Sequence, residues 1–120
     1  MSPDGFDLIV PVPLHPTKQR ERGFNQAAVL AQALSKRTSL PVGRALRRVR
    51  YTKTQTAFDR AERMQNLRHA FCLRPRVDVQ GLRVLLVDDV LTTGSTLSEC
   101  ARVLKKAGAS SVYAATAARA

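Results

Sequence analysis

Apolar positions in this chain fall in short blocks whose spacing changes along the sequence. "FDLIVPVP" (6–13) is apolar, β-branched and closed by prolines, which predicts a short buried strand. The period then changes. Ala27, Leu30, Ala31 and Leu34 recur at helical spacing, Asn25 stands where an N-cap belongs, and Lys36 and Arg37 suit the helix C-terminus. The middle is less regular. "ALRRVRYT" (45–52) and "HAFCL" (69–73) are candidate strands, "KTQTAF" (53–58) reads as a loop, and "RPRVDVQG" (74–81) as a connector. Asp59 and Glu62 stand at capping-box spacing before a short helix over 60–67, with Ala61 and Met64 on one face.

The last third carries the strongest pattern. "RVLLVD" (83–88) is a continuous apolar run of the kind found in strands covered on both faces. Ser95 to Ala107 follows as a helix, with Leu97, Ala101 and Leu104 as its inner stripe and Gly108 as its left-handed terminator. "SSVYAATAA" (110–118) is a final strand. Strand, helix and strand make a βαβ unit, which requires parallel pairing and a right-handed crossover. The expected fold class is therefore α/β: three layers around a central, mostly parallel sheet, in a single domain over 1–120.

Composition narrows the picture only in part. With 44% hydrophobic residues in 120, one packed core is within reach. No apolar run approaches the roughly 20 residues that span a bilayer, and no signal peptide is visible, so no membrane partner is expected and the cytoplasm is the expected compartment. Cys72 and Cys100 fit no metal or redox spacing and are expected as small core residues. The net charge of +11 is uneven: residues 41–80 hold ten Lys/Arg against three Asp/Glu. Such a field favours anionic partners, phosphorylated metabolites or nucleic acid among them, and equally describes a solvated basic surface.

The acids matter more for being few. Asp88 and Asp89 end the clearest strand, and Thr92, Thr93, Gly94, Ser95 and Thr96 lead into the helix. Ligands of open α/β sheets bind beyond the carboxyl ends of strands, and a helix start offers outward N–H groups to a phosphate. Hydroxyls add donors, and a glycine permits close approach. The carboxylates would repel a phosphate but accept hydrogen bonds from sugar hydroxyls, and they suit a divalent metal directly or through water. A ribose 5-phosphate satisfies both halves.

"VLLVDDVLTTGST" resembles the phosphoribosyl-diphosphate (PRPP) motif of type I phosphoribosyltransferases. "VPVPLHPTKQRERGFNQA", "LRRVRYTKTQ" and "RAERMQNLRHAF" occur with it in the order seen in the competence-protein F (ComF/GntX-like) family, so the resemblance runs from about residue 8 to 119. It implies a type I phosphoribosyltransferase fold and transfer of phosphoribosyl from PRPP to an unidentified nitrogenous base, with release of pyrophosphate. Asp88 and Asp89 would hold the ribose hydroxyls and serve catalysis. Thr92, Thr93, Gly94, Ser95 and Thr96 would hold the 5-phosphate. Arg20, Arg22 and Gly23 would lie near the pyrophosphate, although the two arginines read equally well as surface charge. Mg2+ would come with PRPP, with no metal site made of protein ligands alone. Residues 51–66 match the family's flexible loop, and Gln55 and Asn66 match family positions or are simply loop and cap residues.

His15 lies beside the proposed pyrophosphate loop, where a structural or exposed role competes with a catalytic one. His69 reads as structural and Lys53 as solvated. The arginines at 44, 47, 48, 50, 60, 63 and 68 could instead form a nucleic-acid surface, although aromatics are only 5% of the chain and no stacking platform is evident. The alternative function is a non-catalytic, PRPP-responsive module in DNA uptake. DNA and a second copy of the chain are further candidate partners. Many members of the family carry an N-terminal four-cysteine zinc segment that this sequence lacks, and no base-specific pocket is legible in it.

Overall fold

The structure is a computed structural model that describes residues 5–14, 23, 25–49, 70–91 and 94–119. Its elements are β1 (Leu8–Pro11), α1 (Gln26–Thr38), β2 (Leu46–Arg48), β3 (Phe71–Leu73), β4 (Arg83–Leu91), α2 (Ser95–Lys106) and β5 (Ser111–Arg119). β4 is the central strand of a parallel sheet ordered β1-β4-β5, while β2 and β3 form a separate antiparallel ribbon. Leu8 to Pro11 register with Val84 to Val87, and Arg83 to Asp88 register with Ser111 to Thr116.

The pleat of β4 sorts its side chains into two cores. Val84 and Leu86 join Val10, the ribbon residues Leu46 and Phe71, and Leu97, Cys100 and Leu104 of α2. Val87 joins Ile9 and Leu40 on the opposite face, where Ala31 of α1 packs with Leu30, Leu34 and Leu85 at its margin. This makes three layers, with a central parallel sheet between α1 on one side and α2 plus the ribbon on the other, as expected for the class.

Local signals fix the ends of these elements. The Asn25 carboxamide oxygen accepts from the Ala27 N–H at 3.0 Å, capping α1, while its Nδ2 donates to the Val12 carbonyl at 3.1 Å. Asp7 and Arg83 start β1 and β4 side by side. Their side chains pair twice, at 3.0 and 3.1 Å, and the Arg83 backbone N–H also donates to the Asp7 carboxylate at 2.9 Å. This pairing holds the Asp7 carboxyl below the usual carboxylate range, chiefly through the side-chain hydrogen bond.

Several boundaries differ from the sequence expectation. β1 is shorter than 6–13, because after Pro11 only the Val12 N–H continues the ladder, to the Val87 carbonyl at 2.8 Å. β2 and β3 are three residues each, shorter than 45–52 and 69–73. β4 runs on to Leu91, because β5 pairs with it past the end of β1. The inner stripe of α2 is Leu97, Cys100 and Leu104, with Ala101 only half-buried. A cysteine fills the position expected of alanine, and its burial raises the thiol far above its ordinary pKa. Cys72, expected in the core, is half-buried. The expected 60–67 helix, the 53–58 loop, His15, Lys53, Gln55, Asn66 and His69 lie outside the described residues.

Gly108 ends α2 as expected, at φ +106°. The Gly108 N–H donates to the Lys105 carbonyl at 3.0 Å and the Ala109 N–H to the Leu104 carbonyl at 3.1 Å, a Schellman closure. A Cβ here would also come within 3.3 Å of Gln80 Cδ. Gly108→Ala is expected to destabilise the fold by roughly 1–2 kcal/mol, read as a lower urea midpoint at unchanged slope.

Candidate functional site

The candidate site forms where β4 outruns one neighbour. Pairing with β1 stops at Pro11–Val87, whereas pairing with β5 continues through Asp88–Thr116 to Leu91. Among the described residues, Asp88 and Asp89 thus sit inside a strand that is paired along one edge. Both are half-buried. The alternation of β4 puts Asp88 in the row of Val84 and Leu86, on the side of α2 and the ribbon.

Two adjacent carboxyls in such a place resist ionising together. Asp88 is pushed up to about 7, first by burial, then by the side-chain hydrogen bond with Asp89 and by the Asp89 charge. The Asp89 backbone N–H, donating to Asp88 Oδ1 at 2.8 Å, and the Arg48 guanidinium pull in the opposite direction. Near neutrality Asp88 is therefore protonated for part of the time, so that it can offer a donor as well as acceptors to hydroxyl groups.

Arg48 is the contributor that sequence reasoning placed elsewhere, among the arginines of a nucleic-acid surface. Its guanidinium lies over the Phe71 ring, 5.2 Å from the centroid, and its charge reaches Asp88. The alternation in "LRR" carried a usable signal: Leu46 is buried, Arg47 exposed and Arg48 half-buried again.

The turn into α2 is described from Gly94 onward. Gly94 is the N-cap, at φ 79° and ψ −2°, a left-handed conformation suited to glycine. Its carbonyl accepts the Ser98 N–H at 2.9 Å. Ser95 and Thr96 open the helix half-buried, and no acid occupies its first turn to oppose an anion. Gly23 is exposed at φ 81°. Thr92, Thr93, Arg20 and Arg22 lie outside the described residues, as does 51–66. Among the described residues, no group of three or more His, Cys, Asp or Glu could hold a metal.

The model of the phosphoribosyl transferase domain matches residues 22–120. The chain belongs to that family. Within it, the domain is similar to competence protein F of Haemophilus influenzae, at 43% identity over 104 residues, covering 85% of this chain and 45% of that protein. It is 35% identical to competence protein ComFC of Bacillus subtilis over 115 residues, covering 95% and 45% respectively. DNA utilization protein YhgH of Escherichia coli is 42% identical over 107 residues, covering 88% and 46%. These names support a ComF-like type I phosphoribosyltransferase. The chain spans about half the length of the curated relatives it matches.

Solved structures agree on the fold. Glutamine PRPP amidotransferase from B. subtilis superposes with a TM-score of 0.60 at 26% identity, covering 93% of this chain and 22% of that one. Purine phosphoribosyltransferase from Pyrococcus horikoshii superposes at 0.59 with 18% identity, covering 97% and 71%. The fold is that of type I phosphoribosyltransferases. Among the described residues, no helix is long and apolar enough to cross a membrane.

The Asp88 carboxyl makes a pH prediction for the domain. Its folded pKa lies above the unfolded value near 3.8, so its contribution to stability is fully present below that pH and is lost as pH rises through about 7. Denaturant midpoints of wild type minus Asp88→Asn should fall across that window, at no more than about 1.4 kcal/mol per pH unit, and level off above it. A difference that rises with pH would contradict this.

Proposed function

We propose that the domain binds PRPP and transfers its phosphoribosyl group to a nitrogenous acceptor, releasing pyrophosphate. The carrying observation is the carboxyl pair of β4, past its pairing with β1, beside a left-handed glycine cap and hydroxyl-bearing helix start. A partly protonated pair both donates to and accepts from the two ribose hydroxyls. Gly94, Ser95 and Thr96, with Thr92 and Thr93 from the sequence motif, suit the 5-phosphate. Arg20, Arg22 and Gly23 are assigned to the pyrophosphate by the family resemblance.

Transfer breaks the bond from C1 to the pyrophosphate oxygen as the acceptor nitrogen approaches C1. Positive charge then develops on the ribose, and the anionic pair stabilises it. Cationic side chains such as Arg48 lie near enough to balance that pair. The donor set suits magnesium in one manner only: two hard carboxylates are too few for a protein cage but suffice beside phosphate oxygens. Magnesium, when bound with PRPP, would neutralise charge on the leaving pyrophosphate. Asp88 and Asp89 would orient the sugar against it.

A second reading rests on the ribbon. Arg44, Arg47, Arg74 and Arg76 are all exposed around it, and relatives carry the names competence protein and DNA utilization protein. A PRPP-responsive module that binds DNA without turnover fits these features.

Titration calorimetry with PRPP and magnesium tests the first reading. Binding should be lost in Asp88→Asn with Asp89→Asn, at least about tenfold, while far-ultraviolet circular dichroism stays unchanged. Unchanged affinity in that double variant would remove both readings. Pyrophosphate release across a panel of bases separates them: release with one acceptor marks the enzyme. Tight PRPP binding without release, together with DNA affinity that falls steeply with salt, marks the module.

A further inference from the structure

A cavity of about 340 Å³ lies one strand away from the carboxyl pair, on the outer side of β1. Its origin is traceable to the backbone. The 41–43 segment runs beside β1: the Ile9 N–H donates to the Pro41 carbonyl and the Gly43 N–H to the Ile9 carbonyl, each at 2.9 Å. After Gly43 the chain leaves that edge to enter β2, and a gap opens between the ribbon and the first turns of α1.

The wall of this gap has an unusual chemistry. Residues two and four beyond Ile9 on the same edge are Pro11 and Pro13, which have no N–H to present. The β1 wall therefore offers proline rings and no backbone donors. Val29 and Leu46 continue the apolar lining, and Val29 is 52% exposed, whereas Leu30 and Leu34 of the same helix pack partly buried against the core. Asn25 also lines the gap, but its amide is engaged at both ends by Ala27 and Val12. Among the described residues, the charged groups of the lining are Arg44 and Arg74, with no carboxylate beside them. Arg74 is steadied by donating from Nε to the Leu46 carbonyl at 3.3 Å, a bond that does not use its terminal nitrogens.

We infer that this cavity is a binding site for a compact organic anion, an apolar body of about one ring bearing a carboxylate or phosphate. The prolines, Val29 and Leu46 take the body, and the two guanidiniums take the charge. The net charge of +11 raises the local concentration of such a ligand. A neutral ring forgoes the guanidiniums, and inorganic phosphate forgoes the apolar wall, so neither should bind comparably. The cavity shares Gly23 with the residues assigned to the pyrophosphate, but none of Asp88, Asp89 or the turn into α2 lines it, so the two aspartates separate this inference from the PRPP reading.

Saturation-transfer NMR and calorimetry on the full chain would use benzoate and phenyl phosphate as probes, with benzamide and inorganic phosphate as controls. At least one aromatic anion should bind about tenfold more tightly than either control. Arg44→Gln with Arg74→Gln should weaken it by a similar factor. Ala28→Leu, which fills the gap from α1 without touching charge, should also exclude it. Thermal midpoints of each variant confirm folding. Equal binding of phosphate and benzoate, retention in both variants, or no binding of either aromatic anion at millimolar concentration would each overturn the inference. Asp88→Asn with Asp89→Asn should bind the aromatic anion as wild type does, which separates this site from the PRPP reading.

Discussion

Hydrogen bonding of β4 on both edges, with both its faces covered, is the constraint from which the other features follow. A strand in that position must be apolar as long as both neighbours run beside it. It can become polar only where one neighbour stops. β1 stops at Pro11, and the first two residues of β4 beyond that point are the two aspartates. The change from apolar to acidic in the sequence thus coincides with the change from two-sided to one-sided pairing. Had β1 continued by two more paired residues, the carboxyls would have been enclosed without water or ligand to solvate them.

The same constraint explains the unequal company of the two acids. The pleat sends consecutive side chains to opposite faces, yet the Asp89 N–H still reaches the Asp88 carboxylate at 2.8 Å. Burial and proximity raise Asp88, while the ribbon brings Arg48 close enough to moderate the effect. Arg48 in turn is held over Phe71, a core residue. Core packing, ribbon register and carboxyl protonation are therefore one coupled arrangement. The ribbon contributes to the site's electrostatics even though it belongs to a different sheet.

Much of this was readable beforehand, for identifiable reasons. The β4–α2–β5 unit announced itself because an unbroken apolar run, a helical stripe and a glycine terminator lie within 36 residues, and local periodicity suffices there. Asn25 was legible as a cap because capping depends on neighbours in sequence. The strand lengths were not legible, because each ends where its partner ends: β4 extends to Leu91 on account of β5, and β1 shortens on account of Pro11. Cys100 displaced Ala101 from the stripe because helix phase is set by the sheet it docks on, and one residue of rotation is within the tolerance of the pattern. Arg48 and the gap beside Pro11 depend on contacts between segments far apart in the chain, which periodicity does not encode.

The order of the strands also bears on how the molecule comes into being. β1 is made some 75 residues before its sheet partner β4, and among the described residues between them Ile9 has the short stretch near Val42 to pair with. Contacts at such separation close slowly. A nascent chain lacking residues 83–119 would have apolar β1 surface to hide and no central strand to hide it against, a state open to chaperones or aggregation. The Asp7–Arg83 clasp, at the very start of both strands, sets their alignment at that late meeting.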